Sequence, residues 1–93
     1  MVEIRDLILD FYEKKAPNKT MFMFGDVYKG VKKLCVKEKI DPPYKLRAVK
    51  KVVDKMVIDA ELDYWSSGST TYIKLAKPLE EIRPSTNLED KLD

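Results

Sequence analysis

The sequence predicts an α+β domain, and three observations carry that prediction. Apolar residues recur at helical spacing in three segments before Ala60. After Ala60 the spacing becomes the alternation expected of strands, on either side of Ser66-Ser67-Gly68-Ser69. The whole sequence is 93 residues long, which leaves room for one hydrophobic core.

Between Glu3 and Lys15, Ile4, Leu7, Ile8 and Phe11 fall at i, i+3, i+4 and i+7, the apolar stripe of a first helix. Ala16-Pro17-Asn18-Lys19-Thr20 ends it, because proline cannot donate to the helical ladder and disfavours helical geometry in the residue before it. Met21-Phe22-Met23-Phe24 is too short for a helix and suits a brief strand. Gly25 or Asp26 then serves as the cap of a second helix with the stripe Val27, Val31, Leu34 and Cys35. Gly30 lies inside that helix at a cost of about 1 kcal/mol relative to alanine, which points to close packing there.

Ile40-Asp41-Pro42-Pro43 reads as a turn that also opens the third helix, with Asp41 as its cap and proline in its first turn. That helix carries Leu46, Val49, Val53, Met56 and Val57. Leu62-Trp65 and Thr70-Leu75 then form a β-hairpin. With Ser67-Gly68 as the turn, Leu62 pairs with Ile73, Tyr64 with Thr71 and Trp65 with Thr70. Leu62, Tyr64, Ile73 and Leu75 face the core, and Asp63, Trp65, Thr70, Tyr72 and Lys74 face away. Three helices, a short strand and a C-terminal β-hairpin wing make a winged helix-turn-helix over residues 1–77. Residues 78–93 read as an acidic, flexible tail with a short helical turn near Leu79 to Arg83.

Composition excludes much chemistry. The sequence has no histidine and one cysteine, so it cannot assemble a zinc site, a four-cysteine iron–sulfur cluster, a histidine-held haem, or a Ser-His or Cys-His pair. No cofactor, metal or catalytic residue is expected. Cys35 has no partner for an intramolecular disulfide, and the acidic start Met1-Val2-Glu3-Ile4-Arg5-Asp6 is unlike a secretion signal, so the expected location is the cytoplasm. No apolar run approaches the roughly 20 residues of a membrane span.

A net charge of +2 conceals a division along the chain. Residues 14–58 carry thirteen basic and four acidic groups, a net +9, whereas 1–13 and 80–93 each sum to −3. Lys45, Arg47, Lys50, Lys51 and Lys55 lie off the apolar stripe of the third helix, where a DNA-reading helix presents its side chains. A helix with four lysines, Arg47 as its one arginine and no Asn or Gln positions a phosphate backbone more than it reads bases. The wing has no cation from Tyr64 through Ile73. It offers Tyr64, Trp65 and Tyr72 with Ser66, Ser67, Gly68, Ser69, Thr70 and Thr71, and an outward Trp and Tyr are typical anchors of protein interfaces.

Tyr64-Trp65-Ser66-Ser67-Gly68-Ser69-Thr70-Thr71 resembles the wing of the dissimilatory sulfite reductase D family. The likeness continues through Arg47-Ala48-Val49-Lys50-Lys51 and Val57-Ile58-Asp59-Ala60-Glu61-Leu62-Asp63, and more loosely through Phe22-Met23-Phe24-Gly25-Asp26. It spans roughly residues 3 to 76, while 27–44 and the segment after Pro78 are unlike the family's pattern. The resemblance implies a winged-helix protein without catalysis of its own, which binds and activates the reductase of alpha and beta subunits. Sirohaem and iron–sulfur clusters would then lie wholly in that partner. A DNA-binding regulator that uses the third helix is the second reading, and no membrane partner is expected.

Overall fold

The computed structural model describes residues 3–16 and 18–82. In chain order the elements are α1 (Ile4–Lys15), β1 (Met21–Phe22), α2 (Phe24–Lys37), α3 (Leu46–Ile58), β2 (Leu62–Ser67), β3 (Thr70–Leu75) and α4 (Leu79–Ile82). The strands form one antiparallel sheet in the order β1-β3-β2. The domain is therefore α+β, with α4 at the short helical turn expected near Leu79 to Arg83, and its topology is compatible with a winged helix-turn-helix.

All three amphipathic stripes meet in a single core. Leu7, Ile8, Leu9, Phe11 and Tyr12 of α1 pack with Val27, Val31, Leu34 and Cys35 of α2 and with Val49, Val53 and Met56 of α3. Phe22, Leu62 and Ile73 close the core from the sheet. Each such side chain removed from water contributes on the order of 1.5 to 3 kcal/mol before chain entropy is counted. Leu46, expected on the stripe of α3, is instead half exposed at its first turn.

Two helix starts differ from expectation. α2 begins at Phe24, with Met23 at its N-cap and Gly25 and Asp26 already inside the first turn. α3 begins at Leu46 after Lys45, so neither Asp41 nor Pro42-Pro43 opens it. Neither N-cap uses a side-chain hydrogen bond, which removes the signal on which both expectations rested. The C-terminal ends are more regular. Lys39 N–H bonds Val36 O and Ile40 N–H bonds Cys35 O after α2, while Ala60 N–H bonds Val57 O and Glu61 N–H bonds Met56 O after α3. Both are Schellman ends, and Lys39 (φ 60) and Ala60 (φ 62) hold the left-handed position usually given to glycine.

The hairpin register differs from the expected one by two residues. Leu62 pairs with Leu75, Tyr64 with Ile73, Trp65 with Tyr72 and Ser67 with Thr70, so the turn is Gly68-Ser69 rather than Ser67-Gly68. Gly68 sits at φ 64, as the first residue of a type II′ turn requires. Because strand side chains alternate with a period of two, this shift leaves every residue on its expected face.

The start of the segment expected to be a tail joins the core. Ile82 of α4 is buried, and Arg5 Nη2 donates to its carbonyl at 3.1 Å. The same guanidinium forms a two-pronged pair with Glu61, Nε to Oε1 at 3.0 Å and Nη2 to Oε2 at 2.8 Å, linking α1 to the turn between α3 and β2. Arg83 and the rest of the expected tail lie outside the described residues.

At Gly30 the Phe11 ring of α1 lies directly against the backbone of α2. A Cβ at this position would overlap Cδ1 and Cε1 of the Phe11 ring, and the ring is itself wedged against Phe22 at 4.7 Å between centroids. The Gly30→Ala variant is expected to lose about 1 to 3 kcal/mol, because overpacking outweighs the gain in helix propensity. Urea denaturation checks this through a lower midpoint at an unchanged slope.

Candidate functional site

The sequence-predicted surface residues lie on the β2-β3 hairpin and along α3, and one polar network joins hairpin to helix. On the core-side face of the wing, the Tyr64 hydroxyl donates to Asp54 Oδ1 at 2.7 Å and accepts from Lys50 Nζ at 3.1 Å. Lys50 also donates to Asp54 Oδ1 at 2.9 Å, so all three side chains contact one another. Tyr64 was expected to face the core, and it does lean toward α3, yet its polar end keeps the residue 38% exposed. Lys50 Nζ also lies 5.5 Å from the Tyr64 ring centroid and 5.9 Å from that of Phe24, placing a cation between two aromatic rings.

On the opposite face of the hairpin, Trp65 and Tyr72 are directly paired, with ring centroids 6.2 Å apart and planes inclined by 38°. Trp65 is 43% exposed and Tyr72 half-buried. Around them Ser66, Ser67, Gly68, Ser69 and Thr71 are exposed and Thr70 is half-buried. The result is an apolar pair surrounded by small hydroxyl side chains. Such a surface can bury ring area and donate or accept neutral hydrogen bonds, and Lys74, the cation on the same face, stands opposite Asp63 across the hairpin.

The structure divides the basic residues of α3. Lys50 is turned to the wing network, and Lys55 pairs with Asp59 at 2.7 Å. Lys45, Arg47 and Lys51 are exposed. Lys51 and Lys55 line a shallow depression with Glu3, Arg5, Asp59 and Glu61, a mixed-charge surface on the side of the N-terminal end of α1. The five cations therefore do not form one uniform face. Both carboxylates involved, Asp54 and Asp59, stand four residues after their lysines, a spacing readable in the sequence. The bond from Tyr64 to Asp54 is between elements and has no such local signal.

Asp54 is held below the usual carboxylate range, first by the hydrogen bond from Lys50 and then by that from Tyr64. The Lys50 ammonium is correspondingly raised, chiefly by Asp54. Among the described residues no three His, Cys, Asp or Glu side chains converge in a group that could hold a metal ion, and no helix is long and apolar enough to cross a membrane.

Fold and surface together define a class, a small α+β domain that displays an aromatic hairpin braced against a basic helix. Residues 4–77 match the family described as dissimilatory sulfite reductase D (DsrD), and the chain belongs to that family. It is 37% identical over 71 residues to Protein DsvD of Nitratidesulfovibrio vulgaris, covering 76% of this chain and 78% of that one. Protein DsrD of Archaeoglobus fulgidus is 42% identical over 36 residues, 39% of this chain and 47% of that protein. The neutron crystal structure of dissimilatory sulfite reductase D aligns with a TM-score of 0.55 at 37% identity, covering 82% of this chain and 97% of that one. A further crystal structure of the same name gives a TM-score of 0.53 at 33% identity, over 91% and 100% of the two chains.

The network has a defined pH window. Asp54, with its folded pKa depressed, contributes stability above its unfolded value near pH 4, and this is lost as the pH falls through the lower folded value. Lys50, with its folded pKa raised, contributes below its unfolded value near 10.4, and this is lost as the pH rises through the higher folded value. Removing one donor with Tyr64→Phe should move the Asp54 titration upward, toward the ordinary carboxylate range. Carbon-detected NMR titration of the Asp54 carboxyl checks this.

Proposed function

We propose that this protein binds the dissimilatory sulfite reductase of alpha and beta subunits through its wing and the adjacent α3, and raises the enzyme's activity by favouring an active conformation. The observation that carries the proposal is the paired, exposed Trp65 and Tyr72 on a hairpin without a cation between Tyr64 and Ile73. Flat amphipathic rings bury a large area at a small cost in side-chain entropy, which is why Trp and Tyr recur as anchors of protein interfaces. The brace from Tyr64 to Asp54 and Lys50 holds the hairpin against α3 before any partner arrives, and preorganisation lowers the entropy lost on binding.

Activation in this reading requires that the wing bind one conformation of the reductase more tightly than the other. A coupling of about 1 to 3 kcal/mol corresponds to a change of roughly 5- to 150-fold. Sulfite chemistry belongs to the partner, and the contribution of this chain is a surface. In support, its residues include no histidine and a single buried cysteine, Cys35.

Binding to DNA through α3 is the second reading, and exposed Lys45, Arg47 and Lys51 favour it. The engagement of Lys50 with Asp54 and Tyr64, and of Lys55 with Asp59, counts against it. A specific regulator would bind some genomic site far more tightly than the roughly 10⁻⁴ to 10⁻⁶ M of nonspecific association at physiological salt.

The test is to titrate purified reductase with the unmodified protein and with Trp65→Ala while following sulfite turnover. Turnover should rise with the unmodified protein, and the concentration of Trp65→Ala needed for the same rise should be about 30-fold higher, equivalent to about 2 kcal/mol. Turnover that never responds to the unmodified protein contradicts the proposal, and full potency of Trp65→Ala moves the surface elsewhere.

A further inference from the structure

We propose that a lysine-ringed depression formed by α1, β1 and α2 is a docking site for an acidic segment of a protein partner. The depression has a volume of about 440 Å³. Its rim carries Lys14, Lys15, Lys19, Lys29 and Lys33, with Asp26 the one carboxylate among the lining residues, so these side chains sum to +4. None of the lining residues belongs to α3, β2 or β3, so the site is separate from the wing surface.

The lysines converge because of packing, and their convergence does not help the fold. Seating Phe11 against Gly30 brings the last turn of α1, with Lys14 and Lys15, against the middle of α2. Lys29 and Lys33 stand one helical turn apart, a like-charge spacing that opposes helix formation. Lys19 enters from the connection before β1, with its ammonium 5.1 Å from the Phe22 ring centroid, and that of Lys15 is 5.9 Å from Phe11. Their stems therefore lie along apolar surface while the charged ends meet at the rim. An arriving anion relieves this repulsion in a concave site, where field lines concentrate.

The chemistry of the walls selects among anions. Lysine is a point charge and does not form the two-pronged, planar contacts by which arginine fits phosphate. The rings of the floor, Phe11 and Phe22, are buried, so no exposed face is available to stack a nucleic-acid base. The remaining features are spaced ammonium groups over a floor of Phe11, Phe22 and Leu34. The spaced ammonium groups match carboxylates spaced along a peptide. The inference does not depend on which protein the wing binds.

The test is a two-dimensional ¹⁵N NMR titration of the full chain with a blocked peptide of sequence EELEELE and, separately, with its uncharged counterpart QQLQQLQ. The acidic peptide should shift the amides of Lys19, Lys29, Gly30 and Lys33 and leave those of Gly68 and Tyr72 in place. The uncharged peptide should shift none. Lys29→Glu combined with Lys33→Glu should weaken binding at least about tenfold, and Lys29→Gln with Lys33→Gln by less, with salt weakening the unmodified protein in the same direction. Trp65→Ala should bind the peptide unchanged, which keeps this site distinguishable from the wing. The proposal is overturned if those amides do not move or if both peptides act alike. It is also overturned if random-sequence duplex DNA binds the same amides more tightly, or if protein concentration alone shifts them, which would make a second copy the occupant.

Discussion

The contact between the Phe11 ring and the bare backbone of Gly30 determines how the rest of the domain is arranged. Any side chain at residue 30 would have to displace the Phe11 ring. In this position the ring forms an edge contact with Tyr12 at 5.6 Å and a tilted one with Phe22 at 4.7 Å, so one ring cluster spans both α1 and β1. Phe22 pairs with Ile73, and the buried Tyr12 hydroxyl donates to the Ile73 carbonyl at 2.7 Å. Burial pushes that phenol well above its ordinary range and keeps it a neutral donor. The position of β3 therefore follows from the helices, and the wing follows from β3. The same approach of α1 to α2 gathers the lysines around the second depression.

From β3 outward, the alternation of strand side chains separates two tasks. Leu62 and Ile73 point inward and anchor the hairpin, while Trp65 and Tyr72 point outward and remain available. Tyr64 lies between these extremes. Its ring follows the inward face, and its hydroxyl meets Asp54 and Lys50 at the surface of α3. This brace makes the wing and α3 one surface. It also removes Lys50 from the cations that would otherwise meet a phosphate backbone.

Element types were legible in the sequence because they rest on periodicity: the stripes Leu7-Ile8-Phe11, Val27-Val31-Leu34-Cys35 and Val49-Val53-Met56 are the ones the core buries. The close approach at Gly30 was legible for a related reason, since glycine inside a helix costs stability unless packing requires it. Boundaries were not, because Asp26 and Asp41 look like caps whereas both helices begin without side-chain caps. The hairpin turn moved by one residue, and the pairing register by two, within a run of serines where local chemistry barely distinguishes Ser67-Gly68 from Gly68-Ser69. Faces survived because a displacement by two preserves them. Of the candidate surface, the aromatic and basic residues were visible one by one. Asp54 carries no such signal of its role in the brace, because its importance comes from the Tyr64 hydroxyl, ten residues away on another element. The depression was hidden in the net +9 of residues 14–58, since only the packing of α1 on α2 shows which lysines meet.

The central claim is that the exposed ring of Trp65 is the part of this protein that a reductase contacts. The sequence contains one tryptophan, so incorporation of 5-fluorotryptophan places a single ¹⁹F reporter at that ring. On addition of purified dissimilatory sulfite reductase, the ¹⁹F resonance should shift and broaden in step with the fraction of protein that co-sediments with the enzyme. A resonance that broadens with the complex yet keeps its chemical shift and its full H₂O/D₂O isotope shift would contradict the account, since slower tumbling alone broadens the line wherever the protein binds.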